Sequence, residues 1–544
     1  MSRVLHLSFI LPPMSLDAAA SADVIAPRRT IVRAAGALGL GNVASRVLGL
    51  VRETVIASQF GAGTLFGAFV VASQVPTTIY DLLIGGLLAA ALVPVFSEYA
   101  TRDDENRALW RLAGLVLSVV TLLLVLFTAL VILFAPQVTF LYLSEAPPEL
   151  QAQTTTLVRL VAPSILFFGL SGVLTGLLYA LKRFTFAAFA SSFFNLGLII
   201  GALGISRLFE GDARIIGLAL GLVLGSVLQL ALLLPDLRGV PFRFHVGSFW
   251  RDPGIRRIVA LYLPVALSFV VSNIGVIMDR NLASSTAASA DTLSWMRYAT
   301  TLIQLPIGLV AVAISLAVLP NLSRLSALDE QAGYRRVLQR GLRLVLVLIV
   351  PATIGLLVLG QPIVSLLFER GAYTPYDTYW TTWALRLYLL GLPFAAIDQV
   401  LIIAFYSRQD TWTPALVGIA TVVIFLVVAL LLVGPFQMLG LVFANSVQHF
   451  AHALIMVILL QRHMGGLTGG GLRAAAPRIL LAAAGMGLVV WLVASATSGL
   501  QPGFIGRVLA VLLPGAAGLA SYALFTTLLR LEEAREVAHM LLRR

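Results

Sequence analysis

Arg46, Arg52, Glu53, Asp81, Arg159, Asp279, Arg280, Arg297, Arg386 and Asp398 all fall inside hydrophobic stretches of this sequence. A charge at bilayer depth costs roughly 2.5 kcal/mol or more, so each needs a reason. Arg46 and Arg52 are six residues apart. On a helix that puts them about 9 Å apart along the axis and about 120° apart around it. Long side chains from those positions can still converge on one cavity, and Gly49 between them offers a place to bend. A guanidinium is always charged and presents a fork that fits phosphate oxygens. Arg46, Arg52 and Arg280 around one cavity would therefore make an anion site, with Ser45, Glu53, Asp81 and Asp279 as supporting polar residues. The competing reading is pairing, with Arg52 held by a carboxylate of another helix and Arg280 by Asp279. Glu53, Asp81 and Asp279 leave no net surplus of charge, and buried pairs can serve only to fix helix register. Arg159 and Arg386 lie near helix ends, where such side chains snorkel.

Other chemistry is sparser. Asp398 is a candidate for ion coupling, by proton or sodium, with Gln399 beside it. His449 and His452 share a helix face at i,i+3 but have no acidic ligand nearby in sequence, so no metal site is expected. The "GLTGGG" at 466–471 has no following Lys and no preceding strand, which makes it a loop and not a phosphate cradle. The chain has no cysteine, which excludes disulfides, thiolate zinc sites and cysteine nucleophiles. No Ser-His-Asp grouping or carboxylate pair suits hydrolysis, so the chain does not read as an enzyme.

The elements that position these residues must be membrane helices. Of 544 residues, 59% are hydrophobic and 11% charged, and the mean hydropathy is +0.96. Soluble domains run nearer a quarter charged. Spans of about 20 apolar residues can be placed near 32–59, 64–97, 110–135, 156–181, 184–206, 214–235, 256–283, 290–322, 337–360, 379–406, 413–434, 436–461, 477–498 and 505–529. The predicted fold is an all-α polytopic membrane protein of about 14 transmembrane helices. The first, second, seventh and eighth spans are the least apolar. An even count puts both termini on one side. With that side cytoplasmic, the inner loops hold most of the basic residues, among them Lys182, Arg183, Arg256, Arg257, Arg335 and Arg336, and the outer loops only Arg207, Arg214, Arg370 and Arg507. That asymmetry fixes the orientation. It also accounts for the net charge of +12 without nucleic acid.

The sequence repeats itself at an offset near 228 residues. Arg52 and Arg280 are 228 apart, Pro76 and Pro306 are 230, Pro94 and Pro320 are 226, and Arg159–Arg386 and Tyr179–Tyr406 are each 227. Five landmarks in order at so steady an offset imply two homologous six-helix lobes, related by pseudo-twofold symmetry, plus two extra C-terminal helices. The expected division is 1–29 as a leader without assigned function, 30–250 as the N-lobe, 251–470 as the C-lobe, and 471–544 as the appendage and cytoplasmic tail. Two such lobes around a midplane cavity are a transporter architecture. Intramembrane prolines, Pro76 and Pro306 among them, mark places where the helices bend.

"SRVLGLVRETVIASQFGAG", "AALVPVFSEY", "VIMDRNLAS" and "FYSRQDTWTPALVGIA" resemble, in order, signatures of the MurJ (MviN) lipid II flippase family. That family belongs to the multidrug/oligosaccharidyl-lipid/polysaccharide (MOP) transporter superfamily. The resemblance covers about 30–470 and implies fourteen helices. It implies a flippase that moves undecaprenyl-diphosphate-linked disaccharide-pentapeptide to the outer leaflet by alternating access. Cavity arginines would hold the diphosphate, with Ser45, Arg46 and Arg52 matching the family's first helix and Arg280 the second lobe. The groove of the last two helices would take the lipid tail. Two positions depart from the family pattern: Gly67 stands where it usually has Asp, and Tyr80-Asp81 where it has an Arg-Arg pair. The downstream acidic "EG" is here Gly85-Gly86.

The combined expectation is a monomeric lipid II flippase in the bacterial cytoplasmic membrane, both termini cytoplasmic, without a cofactor. It would be driven by membrane potential, sodium or a proton. Its partners would be a lipid-linked diphosphate glycan and membrane lipids. The alternatives are another MOP-superfamily transporter, either a polysaccharide-lipid flippase or a drug or cation antiporter, and a pseudo-transporter membrane scaffold.

Overall fold

A computed structural model describes residues 28–83, 91–101, 107–237, 251–464, 471–500, 503–531 and 533. The predicted leader up to residue 27, Gly85-Gly86, most of the 466–471 loop and the tail beyond 533 lie outside the described residues. So does 238–250, where the boundary between lobes was expected.

Helices account for nearly all of the described chain. The first set comprises α1 (Arg28–Phe60), α2 (Thr64–Asp81), α3 (Val93–Ala100), α4 (Arg107–Leu133), α5 (Ala135–Leu143), α6 (Pro148–Val161), α7 (Ser164–Ala180), α8 (Thr185–Leu203) and α9 (Arg214–Leu233). The second comprises α10 (Pro253–Ser284), α11 (Ser289–Pro306), α12 (Val312–Ala327), α13 (Gln331–Phe368), α14 (Pro375–Tyr406), α15 (Trp412–Phe436) and α16 (Met438–Met464). A hairpin of α17 (Leu472–Ala496) and α18 (Phe504–Leu528) follows. Among the described residues, ten helices are long and apolar enough to cross a membrane, or eleven with the bent pair α6–α7 as one span. Among the described residues, every predicted span falls on one helix or on consecutive helices. The eighth span, expected to be among the least apolar, is one of these ten. The first and seventh carry Arg46, Arg52 and Glu53, and Asp279 and Arg280.

The packing order repeats with the sequence. In the first set α1 packs on α8 and α8 on α9; in the second α10 packs on α15 and α15 on α16. Both α2 and α11 run 18 residues with a proline inside, Pro76 and Pro306, and each then passes into a π-helical turn. Small residues let helices approach closely in a lipid environment, where apolar burial gives little drive. Gly197 and Gly201 of α8 meet Gly221 and Gly225 of α9 so tightly that a Cβ on either side would overlap backbone. The α17–α18 hairpin packs on α13. There Tyr522 Oη donates to Val347 O at 2.6 Å and Arg507 Nη2 meets Glu369 Oε1 at 3.1 Å. Large apolar side chains such as Leu122, Leu123, Leu430, Leu431, Leu480 and Leu519 face outward, as a lipid-facing surface requires.

The two sets meet closely where α1 ends, the side the charge asymmetry assigns to the exterior. Ala372 N donates to Ser58 O at 2.9 Å, and Tyr298 Oη donates to Gly61 O at 2.8 Å. Gly371 has φ +62°, and a Cβ there would lie 2.1 Å from Ser58 O. A Cβ on Gly67 of α2 would lie 2.5 Å from Ala290 O of α11. Only glycine allows these approaches. At the opposite end Arg257 Nη1 and Glu98 Oε2 pair at 2.5 Å, and Gly254 of α10 packs against Tyr99 and Leu112.

Adding a methyl at this outer seam should open it. Gly67→Ala and Gly371→Ala are expected to make a cysteine at Ser73 (Ser73→Cys) several-fold more reactive toward a membrane-impermeant maleimide applied from outside. The cysteine-free parent gives that measurement a clean background. Unchanged labelling would mean that the seam is not what closes the outer end.

Candidate functional site

The structure places Arg46 and Arg52 on one cavity and brings a third arginine to it from the other set of helices. That arginine is Arg297 of α11. The cavity has a volume of about 290 Å³ and lies between α1, α8 and α11, at the lower edge of the range for small-molecule sites. Its polar wall comprises Ser45, Arg46, Arg52, Asn195, Arg297 and Gln304.

Each guanidinium is held by a specific partner. Arg52 Nη1 donates to Asn195 Oδ1 at 2.8 Å, and Arg52 Nη2 meets Glu53 Oε1 at 2.5 Å. Arg297 Nη2 reaches the same Glu53 oxygen at 3.0 Å. Glu53 is 1% exposed, so its carboxylate is a buried link between α1 and α11. Arg46 Nη1 donates to Gln304 O at 3.1 Å. Its guanidinium fills the space beside Gly308, where a Cβ would lie 1.8 Å from Nη2. Gly308 sits in the π-helical turn Ile307–Ala311 that follows Pro306. Such turns recur at functional sites. On the α8 side, Asn195 Nδ2 donates to Ser45 O at 3.0 Å and Ser191 Oγ to Ser45 Oγ at 2.8 Å. Ser45 and Asn195 thus lock α1 to α8 and orient Arg52.

The other predicted site residues lie elsewhere. Arg280 is not among the residues that line this cavity. It pairs loosely with Asp279, Nη1 to Oδ2 at 3.8 Å, and sits near Tyr142 and Tyr388. Next to it, Asn281 Nδ2 donates to Ser144 Oγ at 2.8 Å, which puts Arg280 at the seam between α10 and α5. The Nε and Nη1 atoms of Arg280 and Oδ1 of Asp279 are buried without a hydrogen-bond partner. Asp81 is exposed at the end of α2. Asp398 lies in a separate cavity with His449 and His452. Among the described residues no group of three or more His, Cys, Asp or Glu could hold a metal ion.

Arg297, Asn195, Gln304 and Gly308 were not singled out as a site from the sequence. Arg297 was visible as an intramembrane charge. Its repeat mate, at the local offset of 230 set by Pro76 and Pro306, is Gly67, so a search for matching residues passes over it.

The comparisons with known proteins agree with the fold. The probable lipid II flippase MurJ of Vibrio cholerae is 32% identical over 422 residues, covering 76% of this chain and 79% of that protein. A solved lipid II flippase MurJ in an inward closed conformation superposes with a TM-score of 0.75 at 22% identity, over 90% of this chain and 98% of that one. An inward-facing multidrug resistance MATE transporter of the MOP superfamily gives a TM-score of 0.64 at 14% identity, over 78% and 95%, a likeness of fold alone. The profile of the family described as lipid II flippase MurJ matches residues 56–510, and the chain belongs to that family.

Proposed function

We propose that this protein moves lipid II, the undecaprenyl-diphosphate-linked peptidoglycan precursor, from the inner to the outer leaflet of the bacterial cytoplasmic membrane. It does so by alternating access of two lobes, α1–α9 and α10–α16, and it is a transporter, not an enzyme. The diphosphate sits on Arg46, Arg52 and Arg297.

Charge carries this reading. Three guanidiniums and the single carboxylate of Glu53 leave two net positive charges around the cavity. A diphosphate diester bears two negative charges, so the match is one to one. Arg52 and Arg297 come from different lobes, and an anion that engages both draws the lobes together. Arg280 lies at the outer seam and is the next cation the diphosphate meets as that end opens. The drug or cation antiporter alternative calls for a cavity dominated by carboxylates. Here the one buried carboxylate of the cavity is already shared by two arginines. The exposed apolar faces of α17 and α18 suit the polyprenyl tail.

In proteoliposomes, Arg46→Ala, Arg52→Ala and Arg297→Ala are each expected to weaken binding of a fluorescent lipid II at least tenfold, because a hydrogen bond to a charged group contributes about 1.5–3 kcal/mol. Arg280→Ala should slow flipping while leaving binding near the parent's value. Parental binding in all three single variants would remove the diphosphate from this cavity.

Glu53→Gln separates the carboxylate's two roles. Loss of the shared counter-ion should lower the stability of the ligand-free protein by about 3 kcal/mol, read as a drop in the unfolding temperature. The same variant should bind the lipid diphosphate as tightly as the parent or more tightly, because the cavity's positive charge rises by one.

A further inference from the structure

A second polar cavity lies within the second lobe and shares no lining residue with the arginine cavity. It has a volume of about 180 Å³ and is bounded by α14, α15 and α16. Asp398 of α14 and His452 of α16 meet across it, Oδ1 to Nδ1 at 2.7 Å. Asp398 is 7% exposed, and His452 is near the middle of its span. A carboxylate and an imidazole this deep are costly and serve a function by default. Anion binding by the arginines does not use them.

The geometry points to a proton-binding site at the Asp398–His452 pair, with the proton exchanged at His452 Nε2. At 2.7 Å one proton already lies between Nδ1 and Oδ1, which leaves Nε2 as the free ring nitrogen. Nε2 faces Gly418, where even an added Cβ would stand 3.9 Å away, so the cavity reaches it. A proton delivered by water adds to Nε2 and makes imidazolium, and the pair passes from a net charge of −1 to zero. In the charged form a lone negative charge sits at the junction of three packed helices. In the neutral form it is compensated, so the two forms favour different packing of α16 on α14 and α15.

The surroundings leave this pair as the hub of the local charge. On α16, His449 lines the same cavity. On α14, Tyr406 lies two turns toward the inner end and senses Asp398. From α15 the lining is Gly418, Ile419, Thr421 and Val422, without a titratable group. Asp279 and Arg280 of α10 act on Tyr388, ten residues before Asp398 and therefore about 15 Å along the helix. On α13, Arg343 is engaged by Glu533 at 2.9 Å and Arg340 is exposed. Asp291 and Arg297 belong to α11, which meets α14 at its outer end through Trp295 and Asp377.

Two measurements test the site. Histidine 15N NMR of the labelled full chain in nanodiscs, without substrate, identifies the His452 signal as the one missing in His452→Gln. Scanned over about pH 5 to 8, that signal should respond to pH and should not respond to exchange of sodium for choline. A signal that stays fixed over the range, or that moves with sodium and not with pH, overturns the proposal. In proteoliposomes the parent's flipping rate should change at least threefold across that range, while Asp398→Asn and His452→Gln, if folded, should be flat. Folded variants that keep the parent's pH profile would overturn it as well. The NMR result stands without lipid II, so its failure is distinct from failure of the flippase reading.

Discussion

The lobe interface depends on one buried carboxylate. Glu53 is almost wholly withdrawn from solvent, and its Oε1 holds Arg52 from its own helix and Arg297 from α11. Burial of such a group is expensive, and only good geometry with more than one donor offsets the cost. Two guanidiniums on Oε1 offset part of it, with Arg52 further braced by Asn195, while Oε2 is buried without a hydrogen-bond partner. The consequence is a junction that is stable without a ligand yet contains cations that an anion can recruit. An anion does not create the attraction between lobes; it replaces part of one that already exists.

The close contacts around this junction explain why its geometry holds. Ser45 and Asn195 fix α1 on α8, and the glycines of α8 and α9 let that layer pack at backbone distance. Gly308 is required for a different reason: the Arg46 guanidinium occupies the space its side chain would take. At the outer seam Gly67 and Gly371 permit backbone contact between lobes. The seam is thus closed by backbone contact together with Tyr298, whose ring stacks on Phe66 and whose hydroxyl donates to Gly61 O, whereas the inner end carries the Arg257–Glu98 ion pair, of a kind worth little in water.

Much of this was legible in the sequence. Apolar run length placed the helices, and the repeat at 228 residues anticipated matching orders of packing. The charges of the first span marked the cavity, because a guanidinium in a hydrophobic run has few innocent explanations. Arg280 misled because repeat symmetry fixes a residue's height and lobe but not the rotation of its side chain, and Asn281 ties that part of α10 to α5. Asn195 and Gly308 carry no charge, and no periodicity separates them from residues that merely pack. The Asp398–His452 pair joins residues 54 apart on different helices, so neither sequence spacing nor the i,i+3 histidines could announce it.

The two departures from the family pattern have one physical account. Gly67 faces Ala290 O at a distance that excludes any side chain, so an aspartate there is incompatible with this outer seam. Tyr80 packs at a tilt on Phe168 with ring centroids 4.9 Å apart and is hydrogen-bonded to Gln229, so that position is packed rather than open to the cavity. Neither position supplies a cation here, and Arg297 supplies one from the second lobe. On the proposed reading, the division of charge between the lobes decides how the cavity acts. Three arginines on one lobe would bind an anion whatever the position of the other lobe. With Arg46 and Arg52 on one and Arg297 on the other, full neutralisation of a diphosphate requires both lobes together, which ties substrate capture to the conformational step by electrostatics alone.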